Sequence, residues 1–156
     1  SYDGADASFE LLARRLMGDI PRYILINEYD VLVKKDNTGE IISHAKAQLE
    51  VDGQKILCEG QGNGTVNALD NAIRKNVNKL VKYSEYLKDL KLVDYKVRIL
   101  NTGTEAVTRV SIESTDSKGV NWFTIGVSPN IIEASFKALV DSLDYKLFKD
   151  KAPASL

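Results

Sequence analysis

The sequence is poor in the residues that crosslink a chain or anchor it in a membrane. It has a single cysteine, Cys58, in 156 residues, so an intrachain disulfide is excluded. No apolar run reaches the roughly 18 residues of a membrane span, and no secretory signal is present, which together predict a cytoplasmic protein. Cys58 is expected to be a core side chain.

An excess of charge of one sign is also lacking. The 21 basic and 22 acidic residues are interleaved and give a net charge of −1. Nucleic acids and anionic membranes are bound by basic patches, and no such patch can be read from this pattern. Binding to either is therefore not expected.

Catalytic and metal-binding motifs are missing as well. The only histidine, His44, has no cysteine or carboxylate at a metal-ligand spacing and is expected at the surface or core edge. The glycines of Gly60–Gly64 resemble a nucleotide-binding loop only superficially, because they follow a hairpin and not a parallel strand. The carboxylates form no readable acid–base pair. The sequence thus predicts no catalytic residues, no metal site and no cofactor in this chain.

What the sequence does contain is an imperfect internal duplication. Residues 23–81 and 92–147 are each strand-rich, pass through a glycine-bearing turn and end in a helical pattern. A three-stranded sheet covered by one helix leaves its other surface in need of a partner. We predict an α+β fold with two pseudo-symmetric βββα units, each a three-stranded antiparallel sheet with a helix, and we expect a homodimer.

A short linker helix is predicted before the two units. Apolar spacing gives its span as Asp6–Met17, with Asp3 or Asp6 as the N-cap and Gly18 in the stop signal. The chain begins at Ser1 without an initiator methionine and enters this helix almost at once. We therefore expect it to be the C-terminal part of a longer protein, with residues 1–21 as the linker subdomain and 22–156 as the main domain.

In the first copy, Asp52–Gly53 predicts a tight turn between the second and third strands. The helix that follows should be capped by Thr65. One face of this helix is apolar and is expected to be buried: Val66, Leu69, Ile73, Val77 and Leu80.

In the second copy, the first strand alternates apolar Tyr95, Val97 and Ile99 with basic residues. The third strand is read from Phe123, Ile125 and Val127. Ser128 is predicted as the N-cap of the following helix, with Pro129 at its first position, where proline's missing N–H costs nothing. The buried stripe of this helix is expected to be Ile132, Phe136, Leu139 and Leu143.

Each predicted helix start presents free amides and the positive end of a helix dipole beside a flexible turn. That setting suits a small carboxylate such as the one an amino acid carries. Glycines before a helix also serve turn geometry alone, and this interpretation stays open. Occurrence at matched positions in both copies favours the ligand interpretation.

Six segments of the sequence carry ordered motifs: Ser1–Arg15, Gly62–Ala68, Leu92–Tyr95, Gly103–Val110, Gly126–Ser135 and Ala138–Leu147. These motifs resemble the C-terminal regulatory (LeuA dimer) domain of α-isopropylmalate synthases and citramalate synthases. The resemblance covers nearly the whole chain and is closest to the citramalate synthase branch. It departs from the family pattern at Thr65, where proline is common.

The resemblance implies a non-catalytic allosteric domain that is dimeric and binds a branched-chain amino acid near the dimer interface. The parent enzyme would be an acyltransferase whose separate catalytic barrel uses a divalent metal and acetyl-CoA, and condenses acetyl-CoA with a 2-oxo acid. Carried over residue by residue, the effector-binding positions are Gly64, Val66, Asn67, Leu92, Tyr95, Ile99, Ala106, Thr108, Val127 and Pro129.

The identity of the effector is the finer question. Isoleucine is favoured because the flanking motifs resemble citramalate synthase, whose pathway leads to isoleucine, and pyruvate would then be the 2-oxo acid. Leucine, the effector expected of a 2-isopropylmalate synthase, stays open, because the two side chains differ only in the position of one methyl group. A free-standing amino-acid-binding module and a purely structural dimerisation domain stay open as well.

Overall fold

The computed structural model describes residues 6–156, except the side chain of Thr102. It contains two three-stranded antiparallel sheets, each followed by a helix, and an N-terminal helix before them. The α+β fold predicted from the sequence is confirmed. In chain order the elements are α1 (Asp6–Met17), β1 (Leu25–Lys35), β2 (Ile41–Val51), β3 (Gln54–Gly62), α2 (Thr65–Arg74), a 3₁₀ turn (Val77–Lys79), α3 (Ser84–Leu87), β4 (Lys91–Thr102), β5 (Glu105–Thr115), β6 (Asn121–Ser128) and α4 (Ile131–Lys149).

Helix α1 has the predicted bounds. The Asp6 carboxylate accepts a hydrogen bond from the Ala7 amide at 2.9 Å, and Gly18 ends the helix with a φ of +71°, which favours glycine. The other N-cap considered, Asp3, lies outside the described residues. Only a small face of α1 is buried: Ala7, Ser8 and Leu11.

The two sheets repeat the same pattern residue by residue. Tyr29 pairs with Ala47 across β1 and β2, and Tyr95 pairs with Ile112 across β4 and β5. Both first strands also have a bulge at the corresponding place, between Ile26 and Glu28 and between Leu92 and Asp94. Because a bulge is a specific one-residue irregularity, its recurrence confirms the duplication.

Each helix packs directly on the last strand of its own sheet at a glycine. A Cβ on Gly60 would overlap with the backbone of Ala72 in α2. A Cβ on Gly126 would overlap with the carbonyl of Ala134 and lie 2.9 Å from the Ala138 amide in α4. Strand and helix backbones can approach this closely only because these positions have no side chain.

The predicted tight turn of the first unit is confirmed, since Asp52 and Gly53 have φ values of +53° and +76°. Cys58 is completely buried, as expected. The helix after β3 is shorter than predicted, although the five residues of its predicted apolar face are all buried. It ends at Arg74 because the Asn76 side chain donates to the Ala72 carbonyl at 2.6 Å, where a helical amide would otherwise bond.

Two expectations for the second unit are wrong. Helix α4 begins at Ile131 with Asn130 as its N-cap, so Pro129 lies before the helix and Ser128 is not the cap. The Ser128 hydroxyl instead accepts the Asn130 amide at 3.1 Å, which fixes the turn that places the Asn130 side chain under the helix.

The β6 side chains that face α4 are Trp122, Thr124, Gly126 and Ser128, while Phe123, Ile125 and Val127 lie on the other face.

The two units are joined into one core. Helices α2 and α4 contact each other, and Tyr29 of the first sheet stacks on Phe136 of α4 with ring centroids 4.0 Å apart. The C-terminal segment after α4 returns to the first unit, where the Asp52 amide donates to the Ser155 hydroxyl at 2.8 Å. Helix α4 of the second unit therefore covers part of the first.

Candidate functional site

The start of α2 is open in the way that a carboxylate site requires. Gly64 is the N-cap, in an extended conformation that any residue can adopt, and no side chain of residues 6–156 caps the helix. Thr65, predicted as the cap, is instead the first helical residue, so its hydroxyl lies one position too late to accept the first-turn amides. A Cβ on Gly64 would point into open space. Nothing within the described part of this chain requires glycine there.

The start of α4 is closed. The Asn130 side-chain oxygen accepts hydrogen bonds from the amides of Ile132 and Glu133 at 2.8 and 3.2 Å. These are the amides that a ligand carboxylate would need. The sequence predicted two equivalent helix starts, and of these two the structure leaves only that of α2 without a side-chain cap.

Strand β4 presents an apolar ridge, defined as Tyr95, Val97 and Ile99. The three side chains are 38%, 40% and 71% exposed. Cross-strand pairing places Thr108 beside Ile99, and Ala106 two residues along on the same face. Four of the ten predicted effector residues therefore share one face of the second sheet: Tyr95, Ile99, Ala106 and Thr108.

One small cavity connects this face with α2. Leu92, at the start of β4, lines a small cavity of about 30 Å³ together with Asp70 and Arg74 of α2. Residues of α2 and β4 therefore line one cavity, and residues of α4 and β1 form one aromatic stack. Burial raises the pKa of Asp70, an effect opposed by Arg74 at 2.5 Å, and this ion pair lies within α2 itself.

Two predicted residues lie apart from that face. Val127 pairs with Arg109, and its side chain is on the opposite face of the second sheet from Ile99 and Thr108. Pro129 is exposed in the turn before α4. The structure thus groups the β4 ridge with its neighbours, sets Gly64, Val66 and Asn67 at the start of α2, and separates Val127 from both.

The structure also contains a groove that the sequence did not indicate. Its volume is about 730 Å³, and it lies between α1, β1, β6 and α4. Phe9 and Leu12 of α1 line one side and are 72% and 54% exposed, and the stacked Tyr29 and Phe136 line the other. The apolar spacing of α1 was the only available signal, and spacing alone does not say which element a helix packs against.

The ionisable side chains of the described residues do not form a metal centre. Among residues 6–156, no three His, Cys, Asp or Glu side chains lie together as a metal-binding group. No helix in this range is long and apolar enough to cross a bilayer.

Comparisons with known proteins identify the kind of domain that this geometry belongs to. The chain is 45% identical to the (R)-citramalate synthase of Aquifex aeolicus and 42% identical to that of Geobacter sulfurreducens, over 96% of its length in both cases. It is 34% identical to the 2-isopropylmalate synthase of Burkholderia multivorans over 76% of its length. It spans only 28%, 28% and 21% of these three relatives.

The family assignment rests on almost the whole chain. Residues 3–147 match the model of the LeuA allosteric (dimerisation) domain. This span includes α1, both sheets, the open start of α2 and the β4 ridge. The chain belongs to the LeuA allosteric (dimerisation) domain family, found here in relatives that are citramalate and 2-isopropylmalate synthases.

Proposed function

We propose that this chain is the feedback-regulatory domain of a citramalate synthase and binds a branched-chain amino acid, with isoleucine preferred. The uncapped start of α2 carries the proposal, because the family match alone does not say where a ligand binds. First-turn amides without a side-chain acceptor and the positive helix end suit an amino-acid carboxylate.

The aliphatic tail of the effector would lie against the β4 ridge. Tyr95 and Ile99 expose apolar surface on the sheet face that α2 approaches at Leu92 and Asp70. Covering such surface contributes about 25 cal/mol per Å². Binding energy would thus come from the carboxylate at one end and the branched tail at the other, which is how small ligands are usually oriented.

A second copy of the chain would complete the pocket. The β4 ridge is exposed in one chain, and the family is a dimerisation family. The ridge is continuous with the proposed effector surface, so pairing of two copies would enclose the ligand and couple its binding to the arrangement of the dimer. Helix α1 would carry that change to a catalytic barrel that condenses acetyl-CoA with pyruvate using a divalent metal.

Isoleucine is preferred over leucine on the strength of the relatives. Identity to the two citramalate synthases, 45% and 42%, exceeds the 34% identity to the 2-isopropylmalate synthase. A pocket distinguishes two such isomers by only about 1–3 kcal/mol. Leucine regulation of a 2-isopropylmalate synthase is therefore the second candidate, and a cytoplasmic location remains a prediction.

Isothermal titration calorimetry of the chain with isoleucine, leucine and valine tests the proposal. We expect saturable heat from isoleucine, at least tenfold weaker binding of leucine, and loss of binding in Tyr95→Ala. Leu57→Ala, which removes an exposed apolar side chain from the outer face of the first sheet, is the matched control and should bind as the parent does.

Other results have definite meanings. Tighter binding of leucine would replace the citramalate synthase assignment with the second candidate. Absence of heat from all three amino acids, with the chain dimeric by sedimentation, would support a purely structural dimerisation domain. Unchanged affinity of Tyr95→Ala would remove the β4 ridge from the pocket.

A further inference from the structure

Two carboxylates of α4 share one guanidinium of α1. Arg15 Nη1 lies 3.0 Å from Asp141 Oδ1, and Nη2 lies 2.9 Å from Asp144 Oδ2. The Ser8 hydroxyl, on the same side of α1, donates to Asp141 Oδ2 at 2.8 Å and accepts the Ile125 amide at 2.9 Å. These contacts join α1 to the second unit through polar groups.

Apolar packing contributes little to this contact. The larger apolar side chains of α1 are turned outward, with Phe9 72%, Leu12 54% and Leu16 80% exposed, and Leu11 is its only large buried side chain. A helix held by a small apolar contact depends strongly on its charged contacts. The charge state of Asp141 and Asp144 therefore bears directly on how firmly α1 is held.

The cluster has one negative charge too many when both carboxylates are ionised. The side chain of Asp144 is only 13% exposed, and within residues 6–156 its Oδ1 atom is buried without a hydrogen-bond partner. Among the described residues, the other ionisable groups that face it are Tyr23, from the α1–β1 connection, and Tyr83, from the segment before α3. Burial raises the pKa of both phenols, that of Tyr83 to about 12, so both are neutral and supply no positive charge.

We propose that α1 is a proton-dependent latch: uptake of one proton by the Asp141–Asp144 pair tightens α1 against α4, and loss of that proton loosens it. The proton comes from water and is held on a carboxylate oxygen of Asp144. The protonated cluster is electrically neutral and can stay buried under α1. The ionised cluster is favoured when α1 lifts away and water reaches Asp144.

The direction of the pH dependence follows from two opposing effects on the pKa of Asp144, burial and the ion pair with Arg15. Burial raises the pKa of Asp144 to about 7, even though Arg15 acts to lower it. A solvated aspartate has a pKa of about 3.9. Because the docked state has the higher pKa, it binds the proton more tightly than the undocked state, so docking is strongest at low pH and is lost as the pH rises through about 7.

Amide hydrogen exchange of Leu11–Met17 between about pH 5.5 and 8.5 tests the latch directly. Protection factors, corrected for the intrinsic exchange rate at each pH, are expected to fall at least tenfold between about pH 6 and pH 8.5. Asp144→Asn is neutral at every pH and should keep high, pH-independent protection. Asp19→Asn removes an exposed partner of Arg14 and should keep the parent's pH profile.

A second variant covers the case in which Asp144→Asn does not fold. Arg15→Gln removes the group that lowers the Asp144 pKa, so the midpoint of the protection profile should move to higher pH. The proposal would be overturned if protection in the parent stayed constant or rose with pH. It would also be overturned if Asp144→Asn kept the parent's pH profile, or if Arg15→Gln kept the parent's midpoint. None of these readings requires an effector, so they are independent of the proposed amino-acid site.

Discussion

The two βββα units share strand order, bulge position and a glycine under the helix, but their helix starts differ. Asn130 closes the start of α4, while the start of α2, at Gly64, has no side-chain cap from the part of the chain that the structure describes. The two units share one backbone arrangement, but the side chains at matching positions differ. A side chain at the helix start can satisfy the first-turn amides or leave them free for a ligand. Symmetry of fold therefore does not give two equivalent sites.

The first strands of the two units differ in the same sense. Tyr29 stacks on Phe136, whereas within residues 6–156 its counterpart Tyr95 has no ring partner, although both tyrosines are 38% exposed. The position of Phe136 in α4 corresponds to Asp70 in α2, because Ala134 and Ala138 match Ala68 and Ala72. The aromatic ring at that position is the stacking partner of Tyr29, and the acid at the matching position cannot stack on Tyr95.

The largest expected effect tests what the units have in common. Gly60→Ala and Gly126→Ala should each destabilise the domain by about 3 kcal/mol, because the added methyl group meets helix backbone that cannot move aside. Urea denaturation measures this. Gly64→Ala is the control and should change stability by less than about 1 kcal/mol, since its methyl group enters open space. Unequal losses of stability in Gly60→Ala and Gly126→Ala would show that the two strand–helix contacts are not equivalent.

The turns between the second and third strands differ in acid sensitivity. Burial alone would raise the pKa of Asp116, but hydrogen bonds from Lys149 and Lys146 lower it to about 2. Since an unfolded aspartate titrates near about 3.9, this contribution to stability is present above about pH 4, and about 2 kcal/mol is lost as the pH falls to about 2.

Acid unfolding of the parent and Asp116→Asn measures that loss as a stability difference that shrinks between about pH 4 and pH 2. In the first unit, Asp52 forms the corresponding pair with Lys82 at the exposed surface. Asp52→Asn should therefore show a much smaller change over the same range. Equal changes of stability in Asp116→Asn and Asp52→Asn would contradict the difference in burial between Asp116 and Asp52.

The helix caps differ by a smaller amount. Asn130→Ala removes the acceptor of two amides and should cost about 1 kcal/mol of stability. Thr65→Ala, at the start of α2, removes no capping hydrogen bond and should cost less than about 0.5 kcal/mol. Thermal unfolding of both variants measures the two losses of stability. Similar losses in Asn130→Ala and Thr65→Ala would show that Thr65 caps α2 in solution.

The smallest effect concerns the two tyrosines. Tyr29→Leu loses the stack on Phe136 and should destabilise the domain by about 0.5–1 kcal/mol, measured in a double-mutant cycle with Phe136→Leu. Tyr95→Leu should leave the stability of the single chain nearly unchanged. A coupling energy near zero for Tyr29 and Phe136 would remove the contrast between the two strands.

Most of the fold was predictable because periodicity and turn chemistry are local. The bounds of α1, the turn at Asp52–Gly53 and the two βββα units follow from spacing and from residues with special backbone preferences. The predictions failed where a side chain competes for backbone groups. Asn76 ends α2 early and Asn130 moves the start of α4, and neither choice is visible in apolar periodicity.

The candidate site was predictable only in part. Tyr95, Ile99, Ala106 and Thr108 share a face because alternation along strands fixes it. Val127 was grouped with them although strand register puts it on the opposite face. Register is set by pairing between distant segments, so a list of family positions does not tell which face a side chain occupies.

The sequence by itself determined the class of fold, the duplicated units, the absence of readable catalytic motifs and the resemblance to a regulatory domain, because these depend on composition and local pattern. Tertiary structure alone decided which helix start stays open, which tyrosine stacks on a second aromatic ring, and that Arg15 meets two carboxylates 126 and 129 residues away. Those outcomes depend on burial and on distances between segments far apart in the chain, and no local pattern specifies either quantity.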